Sequence, residues 1–131
     1  MLKIFFFMYV VLTIMINLSF DHSSPVTAPV TFTEADHQKE VEIVNTRIFS
    51  IQLPTHIGNG YQWTINEEEF PAIKILGHSM VDEKPLPGGR QLQIFKMQAS
   101  AQGSHTVKFE FKRPWENEAI RHYELKLQVI E

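Results

Sequence analysis

Three short motifs carry residue types that suit the recognition of another protein. They are Gly-Asn-Gly-Tyr at 58–61, Pro-Gly-Gly at 87–89 and Arg-Pro-Trp at 113–115. Because glycine has no side chain, a glycine-rich loop lets its backbone approach a partner closely. A tryptophan held by a preceding proline offers a large aromatic surface with little entropy to lose, and tryptophan is enriched in binding hot spots. The motifs therefore predict binding through loops.

No set of residues in the sequence is arranged for catalysis. There is no cysteine, and the six histidines are scattered without the paired spacing of metal ligands. The sequence also contains no nucleophile elbow and no phosphate-binding glycine loop. We therefore expect neither an enzyme nor a metal or cofactor site. The formal net charge is -3 without a run of basic residues, which argues against nucleic acid as a partner.

The elements that position these motifs are β-strands. Apolar and polar residues alternate in three segments, 47–53, 105–112 and 123–129, which is typical of half-buried antiparallel strands. In the first of them, Phe49, Ile51 and Leu53 fall on one face. Weaker strand patterns lie at 30–33, 40–44, 61–65, 73–79 and 92–99. About eight short strands with turn signals between them predict an all-β sandwich.

Two local patterns add expectations about how the strands are joined. At 92–99 the apolar residues change face at Ile94 and Phe95, which predicts a bulge or an edge strand covered on both sides. At 101–104 the sequence Ala-Gln-Gly-Ser predicts a short hairpin with Gly103 at positive φ.

We call the segments that carry the three motifs the first, second and third loops. Successive strands of an antiparallel sandwich run in opposite directions, so loops that are two strands apart emerge at the same end. The three loops are spaced in this way, and the sequence therefore predicts that they form one surface.

The first twenty residues differ from the rest of the chain. Lys3 precedes an apolar run at 4–16, which is typical of a secretory signal and short for a membrane span. We interpret 1–20 as a signal peptide or N-terminal anchor, 21–27 as a polar linker and 28–131 as the folded domain. The predicted location is exported, meaning secreted, periplasmic or in a vesicular lumen. Only a leader that is not cleaved would attach the mature domain to a membrane.

Residues 53–63, Leu-Pro-Thr-His-Ile-Gly-Asn-Gly-Tyr-Gln-Trp, resemble the first inhibitory loop of the chagasin family of cysteine protease inhibitors. The glycine-rich segment 87–95 resembles the second loop of that family, and Arg-Pro-Trp at 113–115 resembles the third. The resemblance covers roughly residues 28–131. It implies an immunoglobulin-like fold and a monomeric inhibitor of papain-like, cathepsin-type cysteine proteases. One segment departs from the family pattern, because His-Ile-Gly-Asn at 56–59 stands where the family has Asn-Pro-Thr-Thr.

The resemblance also implies which residues bind the protease. In this view the first loop reaches the catalytic centre, the second lies along one side of the cleft and Trp115 lies on the other. The implied site residues are His56, Ile57, Gly58, Asn59, Gly60, Tyr61, Gly88, Gly89, Arg113, Pro114 and Trp115.

Two aromatic or charged residues near this site are expected to have mainly structural roles. Trp63 is expected in the core rather than at the binding surface, and Arg113 is expected to brace its loop more than to touch a protease. The altered residues 56–59 also favour an alternative function, a non-inhibitory immunoglobulin-like module for adhesion or envelope binding.

Overall fold

The computed structural model describes residues 28–83 and 90–131, and these residues form eight strands. The strands are β1 (Val30–Thr33), β2 (Glu40–Val44), β3 (Ile48–Thr55), β4 (Gln62–Thr64), β5 (Ile73–Asp82), β6 (Gln91–Ala99), β7 (Gly103–Lys112) and β8 (Arg121–Ile130). Short 3-10 helices lie at Glu34–Asp36, Ile57–Asn59 and Glu67–Glu69. The predicted signal peptide at 1–20 and linker at 21–27 lie outside the described residues. Within 28–83 and 90–131, no helix is long and apolar enough to cross a membrane.

The eight strands form two four-stranded sheets, which confirms the predicted all-β sandwich. We call β1-β3-β6-β5 sheet A and β2-β8-β7-β4 sheet B, each in its spatial order. The pairings β3–β6, β5–β6, β4–β7 and β7–β8 are antiparallel. The edge strands β1 and β2 pair in parallel with β3 and β8. The long central strands are therefore antiparallel, as the alternation predicted.

The hydrophobic core lies between the sheets and is built from the alternate residues of these strands. The face formed by Phe49, Ile51 and Leu53 is buried, as predicted. The other core residues include Trp63, Met97, Val107, Phe109, Tyr123, Leu125, Leu127 and Val129. Because the side chains of a strand alternate between its two faces, the intervening residues face outward. Burial of these apolar side chains is what holds the two sheets together.

The predicted irregularity in the segment 92–99 is wrong, since the bulge lies in the neighbouring strand. β6 is an interior strand and pairs with β3 without interruption. In β5 the register shifts between Ile75 and Gly77, so that Leu76 is the extra residue. Phe95 has two inward neighbours in β6, the apolar residue Met97 and the polar residue Gln93. The apolar pattern therefore misassigned the faces of β6.

The predicted hairpin at 101–104 is also wrong. Residues 100–102 leave β6 in sheet A and enter β7 in sheet B, so they connect the two sheets. Gly103 does adopt a positive φ of 115°. A glycine at positive φ occurs in hairpins and in connections between sheets, so the local sequence does not distinguish the two.

Candidate functional site

The strand register places the three predicted loops at one end of the sandwich. In sheet A, Thr55 at the end of β3 lies opposite Gln91 at the start of β6, which in turn pairs with Asp82 at the end of β5. In sheet B, the first residue of β4, Gln62, pairs with the last residue of β7, Lys112. The first loop (residues 56–61), the second loop (83–90) and the third loop (113–120) therefore all emerge from the same end.

The first loop is a compact turn rather than an extended segment. Its residues 57–59 form a 3-10 helix, and Gly60 follows at a φ of 79°, where residues with a side chain are strained. The Thr55 hydroxyl donates a hydrogen bond of 2.9 Å to the Tyr61 carbonyl and so closes the base of the loop. His56, Gly58 and Asn59 are exposed at the tip.

Arg113 joins the first loop to the third. Its Nε donates a hydrogen bond of 2.9 Å to the Asn59 carbonyl. Its guanidinium lies over the rings of Tyr61 and Trp115, at 4.5 and 5.8 Å from their centroids. Nη1 also contacts the Glu116 carboxylate at 3.4 Å. Because one rigid guanidinium makes all these contacts, it fixes the two loops relative to each other.

Trp115 of the third loop packs on the first loop, and most of its side chain remains exposed to a partner. A Cβ added to Gly60 would lie only 3.0 Å from Cη2 of Trp115, so the indole packs directly on the glycine. The side chain is nevertheless 72% exposed, and Ile120 on the same loop is 58% exposed. Pro114 is exposed beside them. The third loop thus presents an apolar surface that the described part of the chain leaves uncovered.

The aromatic side chains beneath the loops belong to the core. Tyr61 stacks on Phe111 at 5.5 Å, and Phe111 packs on Trp63 at 4.9 Å. Trp63 is 3% exposed and donates its indole N–H to the Pro54 carbonyl at 2.9 Å, which confirms the prediction that it is a core residue. The first loop therefore begins and ends on the rigid sandwich.

One polar residue under the first loop is not identified by the sequence pattern. Gln93 is fully buried, and its side-chain amide binds both backbone polar groups of Trp63. Its Nε2 also lies 3.2 Å from Nε2 of His78. The only signal in the sequence was a glutamine next to two apolar residues, and this signal does not identify the partners.

The glycines of the second loop, Gly88 and Gly89, lie outside the described residues, whereas both ends of the loop are described. The Glu83 N–H donates to the Arg90 carbonyl at 3.1 Å, which closes the base of the loop. Arg90 also pairs with the carboxylates of Glu83 at 3.5 Å and Glu34 at 3.7 Å. Glu34 reaches Arg121 as well, at the end of the third loop. Exposed ion pairs of this kind contribute little each.

Two titratable groups with displaced pKa values lie beside the 3-10 helix Glu34–Asp36. The Thr33 N–H donates to the Asp36 carboxylate at 2.8 Å and, together with Lys39, lowers its pKa. Burial, and to a lesser extent the charge of Asp36, raises the pKa of Tyr123, whose hydroxyl donates to the Thr33 carbonyl. These groups hold the segment between β1 and β2 in place. Within 28–83 and 90–131, no group of three His, Asp or Glu residues could hold a metal ion.

Comparison with known proteins yields one family and several similar structures. The model of the chagasin family peptidase inhibitor I42 matches residues 43–129, about two thirds of the chain. No curated protein matches. The crystal structure of the cysteine protease inhibitor EhICP2 from Entamoeba histolytica is 21% identical with a TM-score of 0.68, covering 77% of this chain and 95% of that one.

Two further structures are similar to this chain. The solution structure of Amebosin is 19% identical with a TM-score of 0.60, covering 78% of this chain and 98% of that one. PbICP-C, in its complex with falcipain-2, is 18% identical with a TM-score of 0.50, covering 78% of this chain and 91% of that one. At these identities the similarity shows a shared fold.

Proposed function

Since this chain belongs to the chagasin family of peptidase inhibitors, we propose that it is a reversible, tight-binding inhibitor of papain-like cysteine proteases. It inserts the three loops at one end of the sandwich into the active-site cleft of the protease. The proposed partners are cathepsin-type enzymes, and the inhibitor acts as a monomer. Two similar structures support this class of partner, one of a cysteine protease inhibitor and one of a complex with falcipain-2.

The observation that carries the proposal is the contact between the first and third loops. Arg113 binds the Asn59 carbonyl and lies over Trp115, so the glycine turn and the exposed indole form one wedge before any partner is present. A wedge that is already assembled loses less conformational entropy on binding than separate flexible loops do.

The shape of the wedge fits the chemistry of the target. A papain-like protease holds a reactive thiolate at the floor of a narrow cleft, and an inhibitor must fill the cleft without presenting a peptide bond for attack. At the tip of the first loop, a Cβ added to Gly58 would meet nothing within 4 Å. The backbone at this point can therefore approach the catalytic residues closely. The second loop, with Gly88 and Gly89, would then line the neighbouring wall of the cleft through its backbone.

Steady-state inhibition of papain and of a cathepsin tests the proposal. We expect the apparent inhibition constant to increase linearly with substrate concentration, because the inhibitor and substrate compete for the same cleft. Activity should return on dilution, because no covalent bond forms. Absence of inhibition at micromolar concentration would refute the proposal for this enzyme class.

A second candidate function rests on the altered residues 56–59 of the first loop. These residues replace the Asn-Pro-Thr-Thr of the family pattern and favour a non-inhibitory immunoglobulin-like module that binds an envelope or another cell surface. Capture experiments with an active-site-blocked papain distinguish the two functions. The inhibitor retains the blocked enzyme weakly or not at all, since the cleft is occupied, but retains the active enzyme. The adhesion module retains neither.

We also propose that the chain is exported, with 1–20 acting as a signal peptide or as a retained anchor. The support is Lys3 followed by the apolar run 4–16. The mass of the protein recovered from the cells and from the medium distinguishes a cleaved leader from a retained one.

A further inference from the structure

The start of β4 is held across the sandwich by a single buried side chain. β4 is only three residues long and begins directly after the first loop. The Trp63 N–H donates to Oε1 of Gln93 at 2.6 Å, and Nε2 of Gln93 donates to the Trp63 carbonyl at 3.2 Å. Gln93 belongs to sheet A and Trp63 to sheet B, so the amide joins the sheets as an additional backbone pairing would.

The two backbone groups of Trp63 fix the orientation of the Gln93 amide. A flipped amide would place its NH₂ against an N–H donor and its oxygen against a carbonyl oxygen. Nε2 therefore carries both hydrogens, one of which points to Trp63. The other faces Nε2 of His78 at 3.2 Å. This contact is a hydrogen bond when His78 is the neutral tautomer with its proton on Nδ1, because Nε2 then accepts.

The bulge in β5 is what brings His78 to this position. Ile73 and Ile75 face inward, so in a regular strand the next inward residue would be Gly77. The extra residue Leu76 shifts this alternation by one position. With it, His78 lies opposite the inward residue Phe95 and stacks on its ring at 4.7 Å. Bulges commonly redirect a side chain in this way. His78 is an exposed residue of an edge strand, so the solvent reaches its side chain.

In the described part of the chain, no ion pair involves this histidine. The charged residues on its own strand and on the elements packed against it are Lys74 and Asp82 on β5, Lys96 on β6 and Glu67–Glu69 in the 3-10 helix that contacts β5, and none of them pairs with it. β4 carries no titratable group. The ring contacts the Gln93 amide through Nε2 and stacks on the ring of Phe95.

We propose that Gln93 and His78 position the first loop for protease binding, and that protonation of His78 loosens the loop and weakens inhibition in acid. This inference rests on the proposed function. A protonated histidine has donors at both ring nitrogens, so its Nε2–H would face the NH₂ of Gln93. The imidazolium then turns away, and the amide that holds Trp63 loses its third partner. Tyr61, two residues before Trp63, ends the first loop and moves with it.

The pH dependence of dissociation tests the role of His78. We compare the rate at which the protein leaves one papain-like protease at pH 5 and pH 7.5, for wild type and His78→Gln, whose amide oxygen accepts a hydrogen bond at both pH values. Dissociation of the wild type should accelerate about two- to tenfold more in acid than that of the variant, the equivalent of one hydrogen bond. Effects of pH that do not involve His78, including those on the protease, cancel in this ratio.

Two further measurements complete this test, one on a control histidine variant and one on the unbound protein. His122→Gln, on an exposed position of β8, should keep the wild-type profile. In the unbound protein, hydrogen exchange of the Trp63 N–H at pH 5 should be faster in the wild type than in His78→Gln. The inference would be overturned if acid accelerated dissociation equally for wild type and His78→Gln, and if the Trp63 N–H exchanged at the same rate in both proteins at pH 5. Absence of inhibition at pH 7.5 would instead refute the proposed function, and the exchange measurement would still decide the inference.

Replacement of Gln93 tests its positioning role. Gln93→Met leaves both backbone groups of Trp63 without partners, so the variant loses stability as well as loop order. Val129→Ala, in the core beside Gly103, serves as a control for lost stability, and the thermal midpoints of both variants are measured. We expect Gln93→Met to dissociate at least about tenfold faster than the wild type and Val129→Ala to remain within about twofold. If both variants lose affinity equally, Gln93 is only a structural residue.

Discussion

Replacing Trp115 with Ala removes the most exposed aromatic side chain of the proposed wedge. The indole is 72% exposed in the unbound protein. An aromatic side chain buries about 150–250 Å², so roughly 110–180 Å² of Trp115 remains for a partner to cover. At about 25 cal/mol per Å² this area is worth about 2.8–4.5 kcal/mol. Subtracting about 0.5–1.5 kcal/mol for ordering the side chain leaves about 1.3–4 kcal/mol.

This free energy predicts that Trp115→Ala weakens protease binding roughly 8- to 700-fold. The effect should lie mainly in the dissociation rate, which surface plasmon resonance measures directly. Folding should change little, because Trp115 contributes to the fold mainly by packing on Gly60 and by an exposed cation–π contact worth about 0.5–1 kcal/mol.

A matched control lies at the opposite end of the sandwich. Ile48, the first residue of β3, is 43% exposed, and Ile48→Ala should leave the affinity unchanged. The reasoning would be refuted if Trp115→Ala bound the protease within about twofold of the wild type. It would also be refuted if the loss of affinity followed a loss of folded protein, measured by the thermal midpoint.

Three further predictions concern the loops and the fold. Arg113→Lys keeps the charge but removes the Nε–H that donates to the Asn59 carbonyl. We expect about tenfold weaker inhibition with an unchanged thermal midpoint. Unchanged inhibition would contradict the proposal that Arg113 joins the two loops. Gly60→Ala places a Cβ against Trp115 at positive φ and should cost about 1–3 kcal/mol of stability, whereas Gly58→Ala, with open space around it, should cost less than about 1 kcal/mol in thermal unfolding. Equal costs would refute the loop conformation. Because folding lowers the pKa of Asp36, its carboxylate stabilises the fold at neutral pH, and this stabilisation disappears as the pH falls. Asp36→Asn should therefore lower the thermal midpoint at pH 7 but not at about pH 2. A difference in thermal midpoint that persists in acid would contradict this prediction.

Much of the fold could be predicted because a strand encodes its buried face locally. Phe49, Ile51 and Leu53 alternate with polar residues, and this alternation alone identifies both the strand and its inner face. The common position of the three loops follows from counting strands, and the strand register agrees with it. These properties depend on the chain direction and on a period of two, which the sequence displays directly.

The remainder depends on partners that are distant in the sequence. Gln93 can be buried because Trp63 and His78 satisfy its amide, and neither residue lies near it in the chain. The apolar pattern predicted an irregularity at Ile94 and Phe95 of β6, whereas the bulge lies in the adjacent strand β5 at Leu76.

The contacts between the loops depend on distant partners in the same way. Arg113 was expected to brace its own loop, and it also binds the carbonyl of Asn59, 54 residues earlier. A carbonyl oxygen is present at every residue, so no local pattern marks the one that accepts this hydrogen bond.

The central claim is that the loop end of the sandwich fills the active-site cleft of a papain-like protease. The rate at which iodoacetamide alkylates the catalytic thiol of papain, with and without saturating inhibitor, measures this directly. We expect the wild-type protein to protect the thiol and Trp115→Ala to protect it only at correspondingly higher concentration. Alkylation at the same rate in a complex that demonstrably forms would refute the proposed function, because the protein would then bind the protease away from the cleft.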